Sequence, residues 1–187
     1  EAIKEAILTA EAEDLDEGGR VDEKMLAKQL GISRTPVREA VNRLVIEGLL
    51  KVVPRQGIYL PKKSKKEIIE ILLVRSVLEG LAARLAAIHA TKEDIVKMKG
   101  IFAPFVKADL QNRIREYSEA NIKFHEFVLE ISQCRKLVEI AGNLFNQMRM
   151  IRIQTAGSSD RTQVSLLEHL KIIEAVEKKD ADLAERS

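Results

Sequence analysis

Residues 31–60 read GISRTPVREAVNRLVIEGLLKVVPRQGIYL, four arginines set among apolar residues at helical spacing and closed by a Pro and Gly turn. Ser33 has the side chain of an N-cap, and Pro36 suits a first helical turn, where N–H groups have no intrahelical partner. From there Val37, Val41, Leu44 and Val45 form one apolar stripe, while Arg34, Arg38 and Asn42 share another face at i, i+4 and i+8. The stretch therefore predicts an amphipathic helix whose solvent face is basic. GLLKVV and GIYL, rich in β-branched residues and separated by PRQ, predict a small hairpin after it.

Upstream, Asp22 precedes EKMLAKQL, in which Met25, Leu26 and Leu30 fall at helical spacing, so a capped helix is expected there, with Gly31 as its stop. Two helices joined by a short Gly-containing turn, the second with a basic face, make a helix-turn-helix. A short helix is expected from Ile3 to Ala10, followed by the acidic, turn-prone EAEDLDEGGR.

The charge distribution supports this reading. Net charge is only +2, but residues 1–19 carry one Lys against seven acids (−6), residues 20–66 carry twelve Lys or Arg against four acids (+8), and residues 67–187 carry eighteen of each. A basic segment of this kind is the electrostatic footprint of a nucleic-acid-binding module.

PKKSKK reads as a linker, and beyond it the periodicity is helical: helices are expected at about 65–90, 92–108, 112–132, 135–155, 160–179 and from 181 on, with Thr91 and Asp160 as caps and TAGSSD as a break. The expected fold is mainly α: an N-terminal winged helix-turn-helix domain (1–61), a linker (62–66) and an all-helical ligand-binding bundle (67–187). Cys134 is the only cysteine, so no internal disulfide forms. No run approaches the ~18 apolar residues of a membrane span, no signal-peptide pattern opens the given sequence, and a cytoplasmic location is expected. No nucleophile and base set, Gly-rich phosphate loop or catalytic motif is present, so the chain is not expected to be an enzyme.

VDEKMLAKQLGISRTPVREAVNRLVIEGLLKVVPRQGIYL (21–60) closely resembles the winged helix-turn-helix of GntR-family bacterial transcription regulators. VRSVLEGLAARLAA (74–87), NIKFHEFVLEIS (121–132) and LEHLKIIEAVEKKDADLAERS (167–187) resemble, more diffusely, the helical ligand domain of the FadR-like, FCD branch. The resemblance implies a homodimer on palindromic double-stranded DNA operators, acting as a repressor, with a small organic acid or a metal in the helical domain. It also assigns DNA contacts. Arg34 and Arg38 lie one turn apart at the end that reads base edges. Ser33 and Thr35 sit at the helix N-terminus, where phosphate binds; Arg43 lies farther along, Lys24 precedes the apolar face of the first helix, and Arg55, Gln56 and Gly57 form the wing tip.

In the helical domain His125 follows Asn121 by one turn, a spacing that suits shared ligation, and His169 shares its stripe with Ile172, Ile173 and Val176. These three match the family's metal site of one carboxylate and three histidines, implying a divalent ion such as Zn, Ni or Mn. The usual Asp is Asn121 here, a neutral donor, and the last histidine has its place beyond Ser187. Arg75 shares a stripe with Ile71, Leu72, Leu78 and Ala82 and has Glu79 one turn on. It is read either as an internal ion pair or as a clamp for an effector carboxylate, with Arg149 and Arg152 as lesser candidates for that task. His89 is read as a surface or capping residue. Two other functions remain open at this stage, a metal-dependent enzyme with a DNA-binding tether and a non-specific DNA-binding protein.

Overall fold

The structure is a computed structural model that describes residues 3, 4, 6, 19–154 and 162–187, with 150–154 described by backbone alone. Most of the expected helix at Ile3–Ala10, the cap at Asp160 and the TAGSSD break lie outside the described residues; positions 3, 4 and 6 are helical. The chain divides into two compact units, residues 1–68 with 143–157, and 69–142 with 158–187.

The first unit contains β1 (Arg20–Val21), α1 (Glu23–Leu30), α2 (Arg34–Ile46), β2 (Lys51–Val53) and β3 (Gly57–Tyr59). Asp22 caps α1 as expected, its carboxylate accepting from the amides of Lys24 (2.7 Å) and Met25 (3.2 Å). These amide bonds hold the Asp22 carboxyl below its usual range. Gly31 ends α1 in the left-handed region at φ 64°. Val37, Val41 and Leu44 of α2 are buried against Leu26, Ala27, Leu49, Leu50 and Leu60, so burial of the predicted stripe fixes which face of α2 remains outside.

Three local expectations are corrected. Ser33 sits at the N-cap position of α2 with extended backbone, but its side chain makes no cap hydrogen bond. The strand expected across GLLKVV begins only at Lys51, because the amides of Leu49 and Leu50 both bond back to Leu44 O (2.9 and 3.2 Å) and close the end of α2. The wing also has three strands rather than two. β3 lies between β1 and β2, antiparallel to both, with Val52 and Val21 opposite Ile58. Val21, an isolated buried apolar residue, was too short a signal to read as a strand.

The second unit is helical: α3 (Lys65–His89, which begins in the first unit), α4 (Lys92–Phe102), α5 (Ile114–Ile131), part of α6 (Arg135–Gln154), α7 (Thr162–Glu177) and α8 (Ala181–Arg186). The helix expected to reach 108 stops at Phe102 and continues as a 3-10 turn over Ala103–Phe105, where Pro104 has no N–H to extend an α-helical ladder. Leu110–Arg113 is likewise 3-10, so α5 starts at Ile114 rather than near 112. The helix expected from about 65 starts at Lys65: Ser64 and Glu67 bond reciprocally, Ser64 N to Glu67 Oε2 at 2.8 Å and Glu67 N to Ser64 Oγ at 3.3 Å, so α3 begins within PKKSKK. Thr91 caps α4 in a capping box with Asp94.

Against α3, α8 approaches closely at Gly80. A Cβ there would stand 2.9 Å from Glu185 O, a backbone atom. Gly80→Ala is expected to destabilise the second unit by about 1–3 kcal/mol through forced displacement of α8, against the ~0.5–1 kcal/mol that Ala ordinarily gains over Gly inside a helix. Urea denaturation measures the sign; a stabilised variant would mean that α8 yields without cost.

Candidate DNA-binding face and ligand site

The DNA-facing candidates all belong to the first unit. Arg34, Thr35, Arg38 and Arg43 lie exposed on α2, Ser33 just before it and Lys24 on α1. Burial of Val37, Val41 and Leu44, three and four residues apart on one face, sets this orientation and leaves Arg34, Arg38 and Arg43 in solvent. At the wing tip Arg55 and Gln56 are exposed; Arg55 takes φ 64° and Gly57 φ 130°, and Gln56 N bonds to Val53 O at 3.1 Å to close the turn. A Cβ at Gly57 would come within 3.1 Å of Arg20 Nε, so glycine serves both the backbone angle and the approach of Arg20. All nine predicted positions thus stand on one helix-turn-helix and its wing, an arrangement suited to insertion of α2 into a major groove.

In the second unit the structure brings Arg75, His125 and His169 into one polar chain. Arg75 is buried on α3 and donates from Nη2 to Glu79 Oε1 at 2.7 Å; the same oxygen lies 2.7 Å from His125 Nδ1. His125 Nε2 lies 3.2 Å from His169 Nε2, and His169 Nδ1 lies 3.2 Å from the Tyr117 hydroxyl. Tyr117 in turn donates to Ser165 Oγ at 3.0 Å. Burial disfavours ionisation of Glu79, but the hydrogen bond from His125 and the charges of His125 and Arg75 outweigh it and hold the carboxyl below its usual range. Glu79 is therefore a carboxylate at neutral pH and accepts from both neighbours.

Aromatic rings wall this chain. Phe102 stacks on His169 with centroids 5.0 Å apart and planes at 13°, and Phe124 meets the same ring edge-on at 4.9 Å. Asn121, also buried, is one turn before His125 on α5. His89 is exposed at the end of α3. Leu72, read as a stripe mate of Arg75, is instead exposed. Arg149 is half-buried on the part of α6 that belongs to the first unit, and the side chain of Arg152 lies outside the described residues.

Both readings of Arg75 bear on this geometry: its internal ion pair with Glu79 is present, and any ligand carboxylate would share the guanidinium with it. Glu79, Tyr117 and Ser165 were not singled out from sequence as parts of the site. The signal existed, since Tyr117, Asn121 and His125 run at i, i+4 and i+8 on α5 and Ser165 precedes His169 by one turn on α7.

The pair of imidazoles fits part of a metal coordination sphere. Two nitrogens at ~2.0–2.1 Å from one ion, subtending about 100° at it, stand about 3.2 Å apart, which is the observed Nε2 separation. Glu79 on Nδ1 of His125 is the outer carboxylate that commonly orients such a ligand. Among the described residues no group of three or more His, Cys, Asp or Glu is placed to hold a metal, so the remaining donors would be the Asn121 amide, water or a ligand.

Comparison with known proteins places these features in a family. Residues 1–60 match the family described as bacterial regulatory proteins, gntR family, and residues 70–187 match the FCD domain. An uncharacterized HTH-type transcriptional regulator of Bacillus subtilis, YdhC, is 32% identical over 90% of this chain and 76% of its own length. The HTH-type transcriptional repressor RspR of Escherichia coli is 26% identical over 91% of this chain and 75% of its own. A probable D-xylose utilization operon transcriptional repressor of Paenarthrobacter nicotinovorans is 31% identical over 91% of this chain and 74% of its own. Among solved structures, Escherichia coli McbR/YncC superposes with a TM-score of 0.82 at 26% identity, covering 99% of this chain and 87% of that one.

Proposed function

Because the chain belongs to the GntR family of bacterial regulatory proteins, with an FCD domain in its C-terminal part, it is a transcription regulator and not an enzyme, and we propose that it is a cytoplasmic, homodimeric repressor whose operator affinity depends on a ligand in the second unit. DNA contact falls to Lys24, Ser33, Arg34, Thr35, Arg38, Arg43, Arg55, Gln56 and Gly57. The ligand is a divalent cation, Zn, Ni or Mn, held by His125 and His169 with Asn121, and completed by a small carboxylic acid. The observation that carries the ligand reading is the approach of the two Nε2 atoms to 3.2 Å. Such an ion supplies positive charge and open positions that a carboxylate fills.

Charge argues for the acid as well as for the metal. Arg75 and Glu79 cancel, and Asn121 brings no charge, so among the described residues a divalent ion would stand in a mostly buried site without compensation. Burying uncompensated charge is costly, and a small carboxylate coordinated to the ion offsets it. Arg75 then shares its planar fork between Glu79 and the incoming acid.

The homodimer reading rests on α3. Ile69, Leu73, Val77 and Leu81 recur every four residues, so they line one stripe of the helix, and all four are exposed, Val77 at 72%. A contiguous apolar stripe of this kind marks an interaction surface, and a twofold pairing of α3 helices buries it against itself. Leu73→Glu combined with Val77→Glu is expected to turn a dimer into a folded monomer in analytical ultracentrifugation and to weaken binding to a palindrome far more than binding to a half-site. A variant that stays dimeric would place the interface elsewhere.

Fluorescence anisotropy on palindromic promoter DNA tests the whole reading, using chelator-stripped protein with and without Zn, Ni or Mn, each with and without succinate. Regulation predicts a shift of about fivefold or more in operator affinity. Equal affinity under every condition overturns ligand control, and equal affinity for palindromic and scrambled DNA would make the chain a non-specific DNA binder.

A further inference from the structure

The wing tip carries one more guanidinium than the hairpin itself supplies. Arg20, on β1, stands opposite Tyr59 of β3, and the next pair, Val21 with Ile58, packs into the core. Successive pairs alternate in face along a sheet, so Arg20, Tyr59 and Lys51, which pair across the three strands, share the outer face. Gly57, two residues before Tyr59 on β3, belongs to that face as well. There the side chain of Arg20 runs across it: a Cβ at Gly57 would stand 3.1 Å from Arg20 Nε and 3.7 Å from both Cζ and Nη2. The guanidinium thus lies in the space that a side chain at position 57 would fill.

The charge so placed is not neutralised by any described neighbour. Arg20 is exposed and makes no ion pair or hydrogen bond among the described residues, and the same holds for Lys51 on the other side of Tyr59. Asp22, two residues on, spends its carboxylate on the amides of Lys24 and Met25. Tyr59 donates its hydroxyl to Gln56 O at 3.3 Å, which ties its ring to the wing turn. The tip is therefore a strip of glycine backbone with a flat cation laid on it.

That shape has a complement in DNA. The minor groove is only about 6 Å wide, and over A·T runs it narrows further, which deepens its negative potential and draws in arginine. Arginine suits such a place better than lysine, because a guanidinium is more weakly hydrated than an ammonium. We infer that Arg20 is the minor-groove reader of the wing: carried on Gly57, its guanidinium enters the groove beside the bases that α2 faces and makes affinity depend on A·T content there. This rests on the DNA-binding reading under Proposed function and adds to its contact set a residue delivered from outside the hairpin. It also gives Gly57 a role beyond its φ of 130°, since a side chain there would displace the reading group.

The test uses the full chain to select from a pool of random-sequence duplexes. Fluorescence anisotropy then gives Kd for the selected duplex and for copies with A·T blocks exchanged for G·C. The wild type is expected to select a palindrome in which an A·T block lies about five base pairs, half a helical turn, from the positions whose preference Arg34→Ala loses. Exchanging that block should cost the wild type about fivefold in affinity, the low end of what one base-specific contact is worth. In Arg20→Ala the cost should fall to near unity, with the preference at the Arg34-dependent positions and the far-UV circular dichroism unchanged. Arg20→Met, which keeps the stem without the charge, should behave like Arg20→Ala; a restored block preference would make the stem a packing element and overturn the inference. It is overturned equally by a selected palindrome with no such block, by a block preference that survives in Arg20→Ala, or by a loss in Arg20→Ala that is the same for A·T and G·C blocks, as a phosphate contact would give. None of these touches the DNA-binding reading, which falls together with the inference if the wild type selects no sequence at all.

Discussion

Arg34→Ala and Arg38→Ala are each expected to cost about 1–3 kcal/mol of binding to the operator, roughly a 5- to 150-fold loss, while binding to scrambled DNA changes far less. The asymmetry follows from where the residues stand. Both are exposed one turn apart near the start of α2, on a helix whose apolar face is locked by the burial of Val37, Val41 and Leu44. A helix held this way presents its first turns to base edges, and a bidentate Arg on guanine is worth that much discrimination. Arg43→Ala is the contrast: a phosphate contact farther along α2 weakens all sequences about equally and lowers the salt slope by about one. Because none of the three side chains is buried, thermal stability should be unaltered. Retained sequence preference in both single variants would move the reading role to another element, with the wing residues Arg55 and Gln56 the next to be tested.

How much of this was legible beforehand differs between the two units, for physical reasons. In the first, local signals coincide: Asp22 caps, Gly31 and Gly57 take angles that favour glycine, and a 3.6-residue stripe picks out the buried face of α2. Each acts within a few residues, so one chain suffices to read it. Where the reading missed, a distant partner decided, as with Val21, which becomes a strand only because Ile58 lies opposite, and with Leu49 and Leu50, whose amides return to Leu44. The helical unit shows the same division. Histidine spacing pointed to His125 and His169, but their partners Glu79, Tyr117 and Ser165 lie 46, 52 and 4 residues away from them in the chain. Only packing of α3, α5 and α7 brings those groups together. The stripe read with Arg75 on α3 missed at one position for a related reason: a helix apolar on more than one face does not declare how wide the core side runs, and Leu72 went to solvent while Arg75 and Ala82 went inside.

Phe102→Ala should be the most destabilising single change in the helical unit, at about 3–5 kcal/mol, or very roughly 6–20 °C in Tm for a chain of this size. Phe102 closes α4, is fully buried, and touches three rings, Tyr117, Phe124 and His169, at centroid distances of 5.9, 5.1 and 5.0 Å. Its removal leaves a cavity that these neighbours cannot fill without giving up contacts to one another. It also takes away the face against which His169 lies, and an imidazole free to tilt no longer holds Nε2 opposite His125. Stability and ligand affinity should therefore fall together in Phe102→Ala, and a second variant separates the two causes. Phe102→Leu keeps most of the apolar volume but not the flat stacking surface, so it should recover most of the urea midpoint while Zn affinity remains below that of the wild type. Full recovery of both would mean that the ring serves only to fill space, and that the orientation of His169 is fixed by Tyr117 and Phe124 alone.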